Sequence, residues 1–162
     1  MADWLFSPGA PADREEVMAL YRACAVLPGC TWSQDYPAAE NFDEDTGHGW
    51  LHCLREDGRI IAVVSVGDIG EHVNDGIPWS VAERPCELAR IGVLPARGGQ
   101  GIGAYLLGNA IAVARGKGFD AIRLLVSPGN APALAMYRRV GFRTVGEADR
   151  YDHHWLCQEL PL

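Results

Sequence analysis

Four glycines fall within six positions of the stretch Arg97-Gly98-Gly99-Gln100-Gly101-Ile102-Gly103-Ala104. The stretch lies between an apolar, strand-like run at residues 87–94 and a helical pattern at residues 105–117. Glycine reaches backbone conformations closed to other residues and leaves no side chain in a ligand's way. The first N–H groups of a helix have no partners within it and gather about half a positive charge. A glycine turn that feeds a helix start is therefore suited to hold an anion, phosphate above all. A plain strand-to-helix turn does not need so many glycines, because each adds conformational entropy that folding must remove.

Read alone, Gly99-x-Gly101-x-x-Ala104 also satisfies a dinucleotide fingerprint. That fold wants an acidic residue at the end of the next strand, whereas the next strand-like run, residues 121–126, leads into Ser127-Pro128-Gly129. A Walker loop fails as well, since Gly116-Lys117 is followed by Gly118 and not by Ser or Thr.

A second motif follows. Asn130-Ala131-Pro132-Ala133-Leu134-Ala135-Met136-Tyr137-Arg138-Arg139-Val140-Gly141-Phe142 resembles the Asn-x-x-Ala-x-x-x-Tyr-x-x-x-Gly-Phe element of the GNAT-type N-acetyltransferase superfamily. The glycine turn resembles that family's pyrophosphate loop: an Arg or Gln, two residues, Gly, one residue, then Gly or Ala. Gly101 and Gly103 fill the last two places, while Gly98 stands where the family usually has Arg or Gln, with Arg97 one place earlier. Order and separation fit too, and the likeness covers residues 87–142.

The resemblance implies acetyl-CoA as cofactor, with its phosphates on the N–H groups of Gly98, Gly99, Gln100, Gly101, Ile102, Gly103 and Ala104. The backbone of Ile91, Gly92 and Val93 would hold the thioester as a surrogate strand partner. Asn130, Ala133 and Tyr137 would flank the cofactor. The implied reaction is direct transfer of an acetyl group to a primary amine, in a fold whose neighbouring central strands splay apart around the pantetheine arm.

Such a transfer needs a neutral amine, a polarised carbonyl and a proton for the departing thiolate. Tyr137 is the candidate general acid, because a phenol with an ordinary pKa of about 10 can donate to that sulfur. Its competing reading is an aromatic residue packing one helix face with Leu134 and Val140. Glu87 is the candidate general base. Strict strand alternation puts it on the face of Ala89, Ile91 and Val93, whose apolar surroundings desolvate the carboxylate and strengthen it as a base. It lies about 13 Å up the strand from Ile91 at roughly 3.3 Å per residue, so it acts through water or is a plain strand end. His153 and His154 titrate in a useful range and stand as alternatives, with surface histidines as their plainer reading.

These groups need a frame. Residues 4–6 read as a short strand. Asp13-x-x-Glu16 reads as a capping box for a helix in which Val17, Leu20, Tyr21 and Cys24 follow the i, i+3, i+4, i+7 rule, and Pro28-Gly29 ends it. Residues 30–49 are irregular and polar, with room for a short second helix. Residues 50–55 and 59–67 are strands joined by Glu56-Asp57-Gly58, a hairpin signal. After an irregular stretch at 68–85 comes the strand of the glycine turn. Gly116 and Gly118 stop the long helix, residues 121–127 form a strand, and Asn130 caps a short helix. Residues 142–147 and 153–160 close as two strands. The expected fold is α/β in the broad sense (α+β): a mixed, mostly antiparallel central sheet flanked by helices, in one domain over residues 1–162.

A chain of 162 residues that is 48% hydrophobic suits one core-bearing domain. With a net charge of −7 and scattered basic residues, no nucleic-acid partner is expected. The acidic surplus mildly favours a cationic amine, and solubility accounts for it equally. Five cysteines without a C-x-x-C pair predict reduced, mostly buried thiols and no metal site. The first residues lack the basic-then-apolar order of a leader, and no apolar run nears about 18 residues, so a cytoplasmic protein without a membrane partner is expected. Segments 28–49 and 68–85 are the expected walls of an acceptor site, with Trp32, Tyr36, Trp50 and Trp79 available to line it. The acceptor is a small-molecule or peptide amine, and a homodimer is compatible with the sequence. The rival reading is a non-catalytic acyl-CoA-binding or sensing module.

Overall fold

In the computed structural model, which describes residues 3–70 and 76–162, the chain begins with β1 (Trp4–Pro8), α1 (Arg14–Ala25) and α2 (Ala39–Gly47). It continues through β2 (Leu51–Glu56), β3 (Arg59–Gly67), β4 (Pro85–Val93) and α3 (Ile102–Gly116). β5 (Ala121–Val126), α4 (Ala131–Val140), β6 (Arg143–Arg150) and β7 (His153–Pro161) complete it. The seven strands form one sheet in the order β1-β2-β3-β4-β5-β7-β6. Its pairs are antiparallel except β4 with β5, which are parallel and joined through α3 as a parallel crossover requires. The expected mixed, mostly antiparallel sheet is the one observed. Asp57 (φ +51°) and Gly58 (φ +77°) take the left-handed conformations that a two-residue hairpin turn demands between β2 and β3.

The period-two alternation of the strands feeds two cores. On one face Leu54, Val64, Val66, Cys86 and Leu88 pack with Leu106, Leu107, Ala110 and Ala114 of α3 and Tyr137 of α4. On the other, Leu51, Cys53 and Val63 meet Val17, Leu20, Tyr21 and Cys24 of α1 and Phe42 of α2. The capping box expected at the start of α1 does not form. Asp13 makes no side-chain cap; its Oδ2 accepts from the Ala10 N–H at 2.8 Å and from Arg55 Nη2 at 2.7 Å. Glu16 Oε2 accepts from the Ile60 N–H at 2.8 Å. Both carboxylates bind the helix to the hairpin, a long-range bond replacing the local one.

β4 carries the feature on which the site depends. Ala89 pairs with Ser65 and Gly92 with Val63, so Arg90 and Ile91 together oppose the single residue Val64. This is a β-bulge. Arg90 has φ +49°, a left-handed conformation that costs a side-chain-bearing residue roughly 1–2 kcal/mol. Cys86 and Leu88 face the α3 core before the bulge, and Ile91 and Val93 face it after. Glu87, alternating with Cys86 and Leu88, therefore points to the α1 side, away from Ile91 and Val93. Strict alternation fails for Glu87 because the extra residue inverts the phase.

No helix among the described residues is long and apolar enough to cross a membrane. Leu106 is wholly buried in the α3 core, so Leu106→Ala should destabilise the fold by about 2–5 kcal/mol. The check is a lower urea midpoint at an unchanged slope.

Candidate active site

β4 and β5 pair only at Pro85 with Ala121, Cys86 with Ile122 and Glu87 with Arg123, although β4 runs on to Val93 and β5 to Val126. Past Glu87 the strands diverge, as the resemblance implied. Gly92 and Val93 still pair with Val63 and Ala62 of β3. On their other side no strand among the described residues pairs with them, which leaves backbone amides to serve a ligand. From the α1 side the Cys24 thiol donates to the Val93 carbonyl at 3.3 Å. Burial raises that thiol to about 11, so it stays protonated.

The glycine turn begins just beyond. A 3-10 turn at Pro95–Arg97 leads to Gly98 (φ −64°), then Gly99 (φ +75°) and Gly101 (φ +78°). Gly101 is the N-cap of α3, which starts at Ile102, earlier than residue 105. Ile102, Gly103 and Ala104 therefore supply first-turn N–H groups, the donors that a helix leaves without partners. A Cβ on Gly99 or Gly101 would meet nothing within 4 Å; both positions need glycine for φ and leave open space for a ligand. Gly103 serves another purpose, since its Cβ would lie 3.0 Å from Met136 Sδ and 4.0 Å from Val93 Cγ2. It brings α3 close to α4 and to the free arm of β4. Arg97 pairs with Glu56 in the hairpin and donates from Nε to Gln100 Oε1 at 3.0 Å.

Asn130 caps α4 as expected, its Oδ1 accepting from the Ala133 N–H at 3.3 Å. Tyr137, buried in the α3 core, has its ring 5.3 Å from that of Phe142. Burial pushes its pKa up, so the phenol is a neutral proton donor at ordinary pH. Glu87 is 2% exposed and no open strand end. It sits in a cross-strand row with Arg123 and Glu159. Arg123 donates to the Ser80 carbonyl at 2.9 Å and stacks 5.4 Å over the Trp79 ring. Glu159 accepts from the N–H of Ser80 at 3.0 Å. His153 and His154 lie exposed where β7 begins. His154 is bracketed by Asp149 and Glu147 at 2.7 Å each, and those hydrogen bonds, Asp149's first, raise its pKa.

Of the expected acceptor walls, residues 71–75 lie outside the described residues. Trp32 packs edge-on against Tyr21 at 5.5 Å, and Trp50 stacks on His48 at 4.2 Å. Tyr36 is the more open group, 41% exposed, and accepts at its hydroxyl from Arg90 Nη1 at 3.2 Å. Arg90 and Asp45 were not legible as site residues. Arg90 Nε and Nη2 meet Asp45 Oδ2 and Oδ1 at 2.7 Å each, with side chains 2% and 0% exposed. The available signal was a lone arginine in the apolar run Glu87-Leu88-Ala89-Arg90-Ile91-Gly92-Val93.

A sequence model of the Acetyltransferase (GNAT) family matches residues 14–142. Over 149 residues the chain is 34% identical to N-alpha-acetyltransferase RimI of Mycobacterium tuberculosis, covering 86% of this chain and 87% of that one. Over 69 residues, 42% of this chain, it is 39% identical to a mycothiol acetyltransferase of Clavibacter michiganensis, and it spans 22% of that relative's length. An acetyltransferase of Salmonella typhimurium, solved with its cofactor acetyl-CoA, shares the fold at TM-score 0.75 and 18% identity, over 99% of this chain and 95% of that one. The family match and the relative covered over most of both chains identify an acetyl-CoA-dependent acetyltransferase. The chain belongs to the GNAT acetyltransferase family, and its activity class is acetyl-CoA-dependent N-acetyl transfer.

Gly101→Val should weaken CoA binding by about 2 kcal/mol, the scale of losing a charge-assisted hydrogen bond, because valine avoids the φ of +78° that aims the turn's N–H groups. Gly98→Arg should bind CoA no worse than the parent, because Gly98 has an ordinary φ of −64° and a Cβ there would sit 3.4 Å from the Pro95 carbonyl oxygen. Calorimetry on both variants checks the pair.

Proposed function

We propose that this chain acetylates a primary amine of a small molecule or peptide, with the thioester seated in the split between β4 and β5. The observation that carries the reading is the end of β4–β5 pairing at Glu87 and Arg123, beside a helix start built from left-handed glycines. Acetyl-CoA supplies the acyl carbon, which bonds to the amine nitrogen as its bond to sulfur breaks. In this reading the N–H groups from Gly98 to Ala104 hold the phosphates. Backbone N–H groups of Ile91, Gly92 and Val93 on the edge released from β5 hold the thioester and polarise its carbonyl. Asn130 and Ala133 fix the helix that carries Tyr137.

Tyr137 gives its phenolic proton to the departing sulfur, and Glu87 accepts the amine's proton through water. The two stand on opposite faces of the sheet. Cofactor and acid then share the α3 side, and acceptor and base share the α1 side, where Trp32 and Tyr36 lie. The relative matched over most of both chains is an N-alpha-acetyltransferase, which makes a peptide's terminal amine the first acceptor to test. We further read the chain as a single cytoplasmic domain, working alone or as a homodimer.

A mass-spectrometric screen of peptide and small-molecule amines with acetyl-CoA should return a product heavier by one acetyl group. CoA binding without any such product would favour a sensing module. Tyr137→Phe should cut turnover by roughly 10²-fold while fold and CoA affinity persist. Since burial raises the phenol's pKa, the acid stays protonated below its ordinary value of about 10. The parent's rate should therefore show no alkaline fall from this group below about pH 10, which a pH–rate profile checks.

A further inference from the structure

The guanidinium of Arg90 joins parts of the molecule that are distant in sequence. Asp45 comes from α2 and takes Nε and Nη2 at 2.7 Å each. Ser65 Oγ, on β3 opposite Ala89, donates to the same carboxylate at 2.6 Å. The Asp45 carbonyl accepts from the N–H of Trp50 at 2.8 Å, where β2 begins. Tyr36, in the segment before α2, receives Nη1 at 3.2 Å. All of this meets at the residue whose left-handed backbone makes the bulge.

An ion pair buried this deeply gains little over apolar packing of the same volume. Its value here lies in what it fixes. A carboxylate gripped by both ends of a guanidinium fork sets direction as well as distance, which a lysine ammonium does not. The direction fixed is that of β4 at the point where its phase inverts, one residue before the free Ile91–Val93 backbone.

We propose that Arg90 is a positioning residue for acetyl transfer. Gripped by Asp45, it holds the bulge that presents Ile91–Val93 to the thioester, and through Tyr36 it ties that backbone to the acceptor wall. The proposal rests on the cofactor and acceptor reading given above. Tyr36, 41% exposed, is the arm of the unit that an acceptor reaches.

The test uses Arg90→Lys, Asp45→Asn and Tyr36→Phe in the full chain. It measures thermal stability, kcat and both KM values with an acceptor from the screen, and the affinities of acetyl-CoA and CoA by calorimetry. The ratio of those two affinities reads the seat of the acetyl group alone. The parent should prefer acetyl-CoA. In Arg90→Lys and Asp45→Asn that preference should vanish and kcat should fall by roughly 10²-fold, the scale of a 1 Å misplacement. CoA affinity should stay within about twofold, because the glycine turn is a separate site. Tyr36→Phe should raise the amine KM about fivefold, the worth of one hydrogen bond, and leave CoA affinity as in the parent.

Lower stability with parental kcat, KM and affinity ratio would make the ion pair purely structural and overturn the proposal. Where the Arg90 and Asp45 variants do not fold, Tyr36→Phe decides: an unchanged amine KM and kcat overturns it. A parent that binds no CoA would overturn the cofactor reading itself. A parent that binds and turns over, beside an indifferent Arg90→Lys, would remove only the role of Arg90.

Discussion

One extra residue in β4, at Arg90, sets the geometry of the centre of this protein. Before it, Cys86 and Leu88 face the α3 core; after it, Ile91 and Val93 do. A strand without the bulge would turn either its first half or its second half the wrong way, since a shift of one residue exchanges the two faces. The conformation is one that a residue with a side chain avoids. The Asp45 carboxylate, itself bonded to Ser65 Oγ and carried on a residue whose main-chain carbonyl accepts from the Trp50 N–H, grips the guanidinium on the α1 side.

The bulge and the split act together. β3 continues to pair with β4 beyond the bulge, so the strand is held on one edge while the edge toward β5 is released. A parallel pair is joined here by a helix whose first turn lies beside the released edge: Gly103 would touch Val93 if it carried a side chain. Helix start and free strand edge are thus neighbours through one close approach, and both expose backbone N–H groups. Oriented backbone donors of this kind need no reorganisation when charge develops on a ligand.

The two faces of the sheet differ in chemistry. The α3 face around the split is apolar, and Tyr137 is neutral there because burial disfavours phenolate. The α1 face carries the buried charges Asp45, Arg90, Glu87, Arg123 and Glu159. Side by side across the strands, Glu87, Arg123 and Glu159 alternate in sign, an arrangement that makes charge burial tolerable.

What the sequence determined by itself is what short-range physics decides. The apolar spacing of α1 placed Val17, Leu20, Tyr21 and Cys24 in the core, and all four are buried. Turn chemistry located the hairpin at Asp57-Gly58, the cap at Asn130 and a glycine turn ahead of α3, although the helix starts at Ile102 and not at the expected residue 105. The tertiary structure alone decided the face of Glu87, the partners of Asp13 and Glu16, and the pairing of Arg90 with Asp45 across 45 positions. A bulge is a relation between two strands, so the residues of one strand do not specify it. A carboxylate's choice between a local cap and a distant donor is settled by which one folding brings within reach and shields from water.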